Sequence, residues 1–209
     1  MALLEVCVDS LERALAAQAG GAERIELCAR LELGGLTPPR ELLDAALARA
    51  AVSHHVMVRP RAGDYVYSRA EFEAMEHQID GLLASGARGV VLGVMTRRGA
   101  IDPERTAVLV ARARPLSVTF HRAFDAAPDL EDALETLIAL GVDRVLTSGG
   151  AATALEGRAV LRKLVARAAE RIVVMPGGGV RSHNAQQILA ETGASELHSS
   201  TPFRLQRTT

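Results

Sequence analysis

Two short strings of the same pattern, Glu5-Val6-Cys7 and Glu26-Leu27-Cys28, contain both cysteines of the chain. Side chains alternate faces along an extended strand, so each glutamate lies on the same side as the cysteine two positions later. One βα unit separates the two strings. Neighbouring strands run about 4.8 Å apart, and with a suitable stagger two thiolates would face one another. A two-sulfur site is soft and suits Cu(I), with Met57 or Met175 as thioether assistants; harder cations want more carboxylates or imidazoles. The spacing is not C-x-x-C, and the alternative is that both cysteines are small buried apolar residues.

A second set of residues could handle an anion. Arg59 and Arg61 share a face and could clamp a carboxylate or phosphate in fork geometry, or pair with Glu5 and Glu26 inside the fold. Ser148-Gly149 follow one apolar stretch, Gly178-Gly179 follow another, and Ser199 ends a third. Glycine amides can approach an anion without an intervening Cβ, and a helix starting near Ser182 would add its positive end; the alternative is that these glycines make tight turns. His121 closes a predicted strand and is the candidate for proton transfer with Glu5 or Glu26, or else a hydrogen-bonded structural histidine. Together these residues fit a lyase, isomerase or hydrolase acting on a small phosphorylated or carboxylated metabolite. One mechanism is excluded: Lys163 is the only lysine and lies in a predicted outer helix, so a Schiff-base enzyme is ruled out.

Eight strands are predicted to carry these residues, over 3–8, 24–28, 55–59, 89–93, 116–121, 144–148, 171–175 and 196–199. Helical segments separate them. Ser10 or Asp9, Thr37 before Pro38, Ser68 with Glu71, Asp102 before Pro103, and Ser182 supply helix starts. Strict alternation argues for a parallel sheet under helices. Gly21, Gly86, Gly141 and Gly193 each stop a helix before strands two, four, six and eight. That recurrence at about two βα units fits a (β/α)8 barrel filled from alternate strands. A doubly wound open sheet is the alternative, weakened because Gly177-Gly178-Gly179 does not spell G-x-G-x-x-G. Residues 1–200 are expected to form one barrel domain. The tail 201–209 is too short for a full eighth helix, so a subunit contact could cover the wall beside strands one and eight.

The chain has 209 residues, 48% of them hydrophobic, and a formal net charge of -1. That balance gives no overall pull towards nucleic acid or an anionic membrane. The start lacks a secretory pattern, and no apolar run approaches the roughly 18 residues of a membrane span. A cytoplasmic protein with reduced thiols is expected.

The stretches Met-Ala-Leu-Leu-Glu-Val-Cys, Arg-Ile-Glu-Leu-Cys-Ala, Gly34-Gly35-Leu36-Thr37-Pro38, Arg59-Pro60-Arg61, Thr119-Phe120-His121-Arg122-Ala123-Phe124-Asp125, Leu146-Thr147-Ser148-Gly149 and Glu196-Leu197-His198-Ser199-Ser200 occur in order. Together they resemble the CutC family, named for copper homeostasis, from residue 1 to about 200. The resemblance implies a TIM barrel, a cytoplasmic homo-oligomer (dimer or tetramer), and Cu(I) bound by Cys7 and Cys28.

Overall fold

A computed structural model describes residues 2–205; Met1 and the end of the expected tail, Gln206 to Thr209, lie outside the described residues. The order is β1 (Leu3–Val8), α1 (Leu11–Ala19), β2 (Arg24–Leu27), α2 (Arg40–Arg49), β3 (Ser53–Met57), α3 (Arg69–Leu83), β4 (Gly89–Leu92) and α4 (Pro103–Ala113). It continues with β5 (Ser117–Phe120), α5 (Leu130–Ala139), β6 (Arg144–Thr147), α6 (Arg158–Ala168), β7 (Val173–Pro176), α7 (Ala185–Thr192) and β8 (Glu196–Ser199). The strands form one parallel sheet in the order β7-β6-β5-β4-β3-β2-β1-β8. Strands β7 and β8 share no ladder but stand side by side: a Cβ on Gly177 would come within 3.2 Å of His198 Cβ, and Ser199 Oγ donates to the Val180 carbonyl at 2.9 Å. The result is a nearly closed (β/α)8 barrel. None of the described helices is long and apolar enough to cross a membrane.

Local chemistry explains most of the boundaries. Ser10 caps α1; Ser68 and Glu71 form a reciprocal capping box on α3; Asp102 caps α4 with Pro103 in its first turn. Two expected starts move. Helix α2 begins at Arg40 behind Pro39, because Thr37 is held elsewhere: its amide donates to the Arg59 carbonyl and its hydroxyl accepts from the Arg59 amide. Helix α7 begins at Ala185 rather than near Ser182, because the Asn184 side chain accepts from the Arg181 amide and donates to the Gly179 carbonyl, which tightens the preceding turn.

Alternation along each strand sorts the residues into two layers. Leu4, Val6, Val8, Ile25, Leu27, Val56, Val58, Val90 and Leu92 pack outward under the helices in the main apolar core. Each such Leu, Ile or Val contributes about 1.5–3 kcal/mol on burial. Their neighbours Glu5, Cys7, Arg24, Glu26, Cys28, His55 and Arg59 are equally buried on the other parity. After β8 the chain turns back over α1, with Phe203 and Leu205 packed against the core. Gly20 leaves room for Pro202, whose Cβ would lie 2.8 Å from a Cβ at that position. The chain's own tail therefore covers part of the wall that an eighth helix would shield.

Candidate functional site

At the closed end of the barrel, charges cancel across four strands. Arg24 on β2 hydrogen-bonds to Glu5 on β1 and to Glu196 on β8, and Arg144 on β6 donates to both oxygens of Glu196, Nε to Oε2 at 2.5 Å and Nη2 to Oε1 at 3.0 Å. The sequence expectation that Arg59 or Arg61 pairs with Glu5 is corrected here. Parallel register sets Arg24 directly opposite Glu5, whereas Arg59 lies beyond the end of β3. Burial pushes the Glu5 carboxyl up, but Arg24, His198 and His55 outweigh it and hold it well below the usual carboxylate range.

Above this network stands His198 on β8, also opposite Glu5 in the register. Its Nδ1 lies 2.9 Å from Glu5 Oε1 and 3.8 Å from Glu26 Oε2. Burial alone would lower the imidazole pKa; Glu26, Cys7 and Glu5 overcome it and raise it well above 6.5. Glu26 itself is pushed up to about 7, chiefly by burial and also by Glu5, against the opposing pull of His198 and Arg24. One ligand atom each from Cys7, Glu26 and His198 fall within 4.8 Å of one another.

The two cysteines differ in setting. Strand register puts Cys7 opposite Glu26, so Cys28 stands about two residues nearer the mouth, just past the end of β2. Cys7 lines a cavity in the mouth of about 300 Å³. Cys28 is fully buried among Met57, Val91 and Leu31, and its thiol points to the Val8 carbonyl at 3.5 Å. Burial, with Glu26 and Cys7 adding to it, pushes the Cys28 thiol far up.

The cavity also exposes Glu26, Met57, Arg59, Tyr65, His121, Arg122 and His198. Arg59 is buried and donates to three carbonyls, Leu33 and Gly35 from Nη1 and Gly63 from Nη2, each at 3.0 Å; its guanidinium carbon stacks 5.0 Å from the Tyr65 ring. Arg61 does not join it. It turns outward to Glu71 at 2.5 Å and Asp64 at 2.8 Å, because the 61–64 turn and the α3 capping box offer it two carboxylates. His121 packs 4.8 Å from the Tyr65 ring and accepts from the Ala123 amide through Nδ1. Burial, with Arg59 nearby, lowers its pKa to about 3, so it is a neutral imidazole with its proton on Nε2.

The glycine-rich loops have partners of their own. Asp125 accepts from Thr147 Oγ1, the Ser148 amide, Ser148 Oγ and the Gly150 amide, and the Gly149 amide donates to Thr147 Oγ1. Of the donors expected to grip an anion after β6, Ser148 is given to the Asp125 carboxylate and the Gly149 amide to the Thr147 hydroxyl. Arg122 bonds to Asp125 and Ser148 Oγ, and its guanidinium lies against Gly178: a Cβ there would meet Nη1 at 3.3 Å. Gly179 packs against Thr153, and Ser199 Oγ is used by the Val180 carbonyl. The sequence reading assigned no role to His198, Arg24, Arg144, Glu196, Arg122 or Asp125. Inward parity, shared by Arg24 with Glu26 and by His198 with Glu196, was the available signal for Arg24 and His198; nothing local marked Asp125 as the partner of the next strand's loop.

Eight parallel strands with a charged and sulfur-bearing mouth define a TIM barrel, a fold whose characterised sites lie at the strand C-termini. The CutC family model matches residues 2–202, and the chain belongs to the CutC family. It is 50% identical over 198 residues to the copper homeostasis protein cutC homolog of Homo sapiens, covering 95% of this chain and 72% of that protein. It is 48% identical to a family protein CutC of Chromobacterium violaceum, covering 95% and 80%. The crystal structure of a CutC protein from Streptococcus agalactiae superposes with a TM-score of 0.91 at 34% identity, over 96% of this chain and 99% of that one. An aldolase at 14% identity, with a TM-score of 0.73, shares the fold alone.

Proposed function

We propose that the chain serves copper homeostasis by binding Cu(I) at the barrel mouth through Cys7 and Cys28. The observation that carries this reading is the placement of both thiols inside the barrel on adjacent strands, with the Met57 thioether packed against Cys28. The Cys28 thiol and Met57 thioether in an apolar corner, with the Cys7 thiol on the cavity wall, offer soft donors that match a soft monovalent ion. The Cys28 thiol must lose its proton to bind, so affinity rises with pH. Copper homeostasis in the names of relatives supports the same reading. We further propose that the chain works with reduced thiols in the cytoplasm, and as a homo-oligomer. A competition titration of reduced protein against a Cu(I) chelator tests it: tight binding lost in a Cys7→Ser/Cys28→Ser variant is expected, and equal affinity in both proteins refutes it.

A second reading rests on Glu26. A buried carboxyl with a pKa of about 7, beside a histidine oriented by Glu5 and on the wall of a cavity, is suited to proton transfer. This is the enzyme reading, with a small carboxylated or phosphorylated metabolite as substrate. Turnover-dependent proton exchange into such a metabolite, abolished by Glu26→Gln, is its test; exchange unchanged in that variant refutes it.

A further inference from the structure

The mouth cavity gathers buried side-chain atoms that make no hydrogen bond. Among the described residues, Glu26 Oε2, Arg59 Nε and His121 Nε2 are buried without a hydrogen bond, and all three residues line this one cavity. Each of the three residues is only 4% exposed. Buried polar groups are almost always satisfied by protein, water or ligand, so three orphans around one void mark the outline of something that fits there.

The charge pattern narrows what that is. Arg59 uses three of its five guanidinium hydrogens on carbonyl groups, and no carboxylate of the described residues pairs with it. A buried cation without a counter-charge is costly and calls for an anion. Arg24, Arg144 and Arg122 already have carboxylates. One uncompensated cation matches one negative charge. A dianion would leave surplus negative charge beside Glu26 and Glu5. His121, a neutral imidazole donating from Nε2, adds a second donor on the wall of the same cavity, where it and Arg59 both pack on Tyr65. Glu26 Oε2 stands free for a hydroxyl. Met57, Leu31 and Leu146 supply an apolar wall, and about 300 Å³ lies at the small end of ligand pockets.

We propose that this cavity binds a small monoanionic hydroxycarboxylate, its carboxylate against Arg59 and His121 and its hydroxyl against Glu26. The ligand class deepens the enzyme reading above and is independent of copper. Binding and turnover fail separately: a chain that binds the acid without reacting refutes catalysis alone, whereas a chain that binds none refutes the ligand.

Isothermal titration of the reduced, metal-free full chain with glycolate, lactate and 3-hydroxybutyrate tests it, with propionate and inorganic phosphate as comparison arms. At least one hydroxy acid is expected to saturate the site and to bind about tenfold more tightly than propionate. His121→Phe keeps the ring that packs on Tyr65 and removes the donor, so affinity should fall about tenfold with the thermal transition still cooperative. Arg59→Gln should lose binding; if that variant does not fold, His121→Phe decides. No saturation by any hydroxy acid up to about 20 mM, a range that reaches weak millimolar binding, means water satisfies the orphans and overturns the proposal. Preference for phosphate, or binding indifferent to His121→Phe, overturns it equally.

Discussion

Replacing His121 by Phe converts the electrostatics of the mouth into a stability measurement. Folded His121 has a pKa of about 3 against 6.5 for the free side chain, through burial and then Arg59. Between those values the unfolded chain holds a proton that the folded chain refuses, so stability is complete above 6.5 and falls as the pH drops towards 3. At pH 4.5, two units below the unfolded value, the loss from this residue is about 2.7 kcal/mol. The Phe variant has no such term, but it gives up the 3.2 Å bond from the Ala123 amide to Nδ1, worth about 1 kcal/mol at any pH. Wild type should therefore be the more stable protein at pH 7.5 by about 1 kcal/mol, and the variant the more stable at pH 4.5 by somewhat under 2 kcal/mol, with a crossing near about pH 6. Urea unfolding followed by circular dichroism at pH 7.5, 6 and 4.5 reads the difference directly. His55, lowered to about 4 by burial against the pull of Glu5, is present in both proteins and cancels. A difference that stays constant with pH would show that His121 is not held neutral, and the reasoning about the mouth would fail with it.

Other expectations concern packing and thiol access. Arg24→Met leaves Glu5 and Glu196 buried without their shared guanidinium and should cost about 3–5 kcal/mol in urea unfolding; wild-type stability would mean the network is not what neutralises the barrel interior. Gly93→Ala should cost about 1–3 kcal/mol and move the His121 ring resonances, because the new Cβ would fall 2.4 Å from His121 Cε1; unchanged spectra would place the ring elsewhere. In native protein a small thiol reagent should label Cys7, which lines the cavity, and reach Cys28 only after unfolding; peptide mapping that finds Cys28 labelled first would reverse the two settings.

Much of the barrel was legible in strand parity and glycine spacing. All eight strands lie within two residues of their expected limits, because helix-stop glycines and cap residues act locally. The starts that moved did so for different reasons: Thr37 is bound by the distant backbone of Arg59, and the turn at Ser182 is tightened by the Asn184 side chain. The site was legible in part. Parity placed Glu5, Cys7, Glu26 and Cys28 inside, and strand ends singled out Arg59 and His121. Register was not readable, and register decides partners: it sets Cys7 opposite Glu26 rather than Cys28, and gives Glu5 to Arg24 and His198. Arg61 illustrates a different limit. A face shared with Arg59 was read from an extended segment, but a turn after Pro60 sends the Arg61 side chain to Glu71 and Asp64.

The claim that copper binds through sulfur is tested most directly by copper K-edge absorption of the reduced chain loaded with one equivalent of Cu(I). Sulfur from both cysteines is expected in the first shell, with one sulfur scatterer lost in Cys28→Ser. A shell of nitrogen and oxygen alone, or one unchanged in a Cys7→Ser/Cys28→Ser variant, would contradict the account.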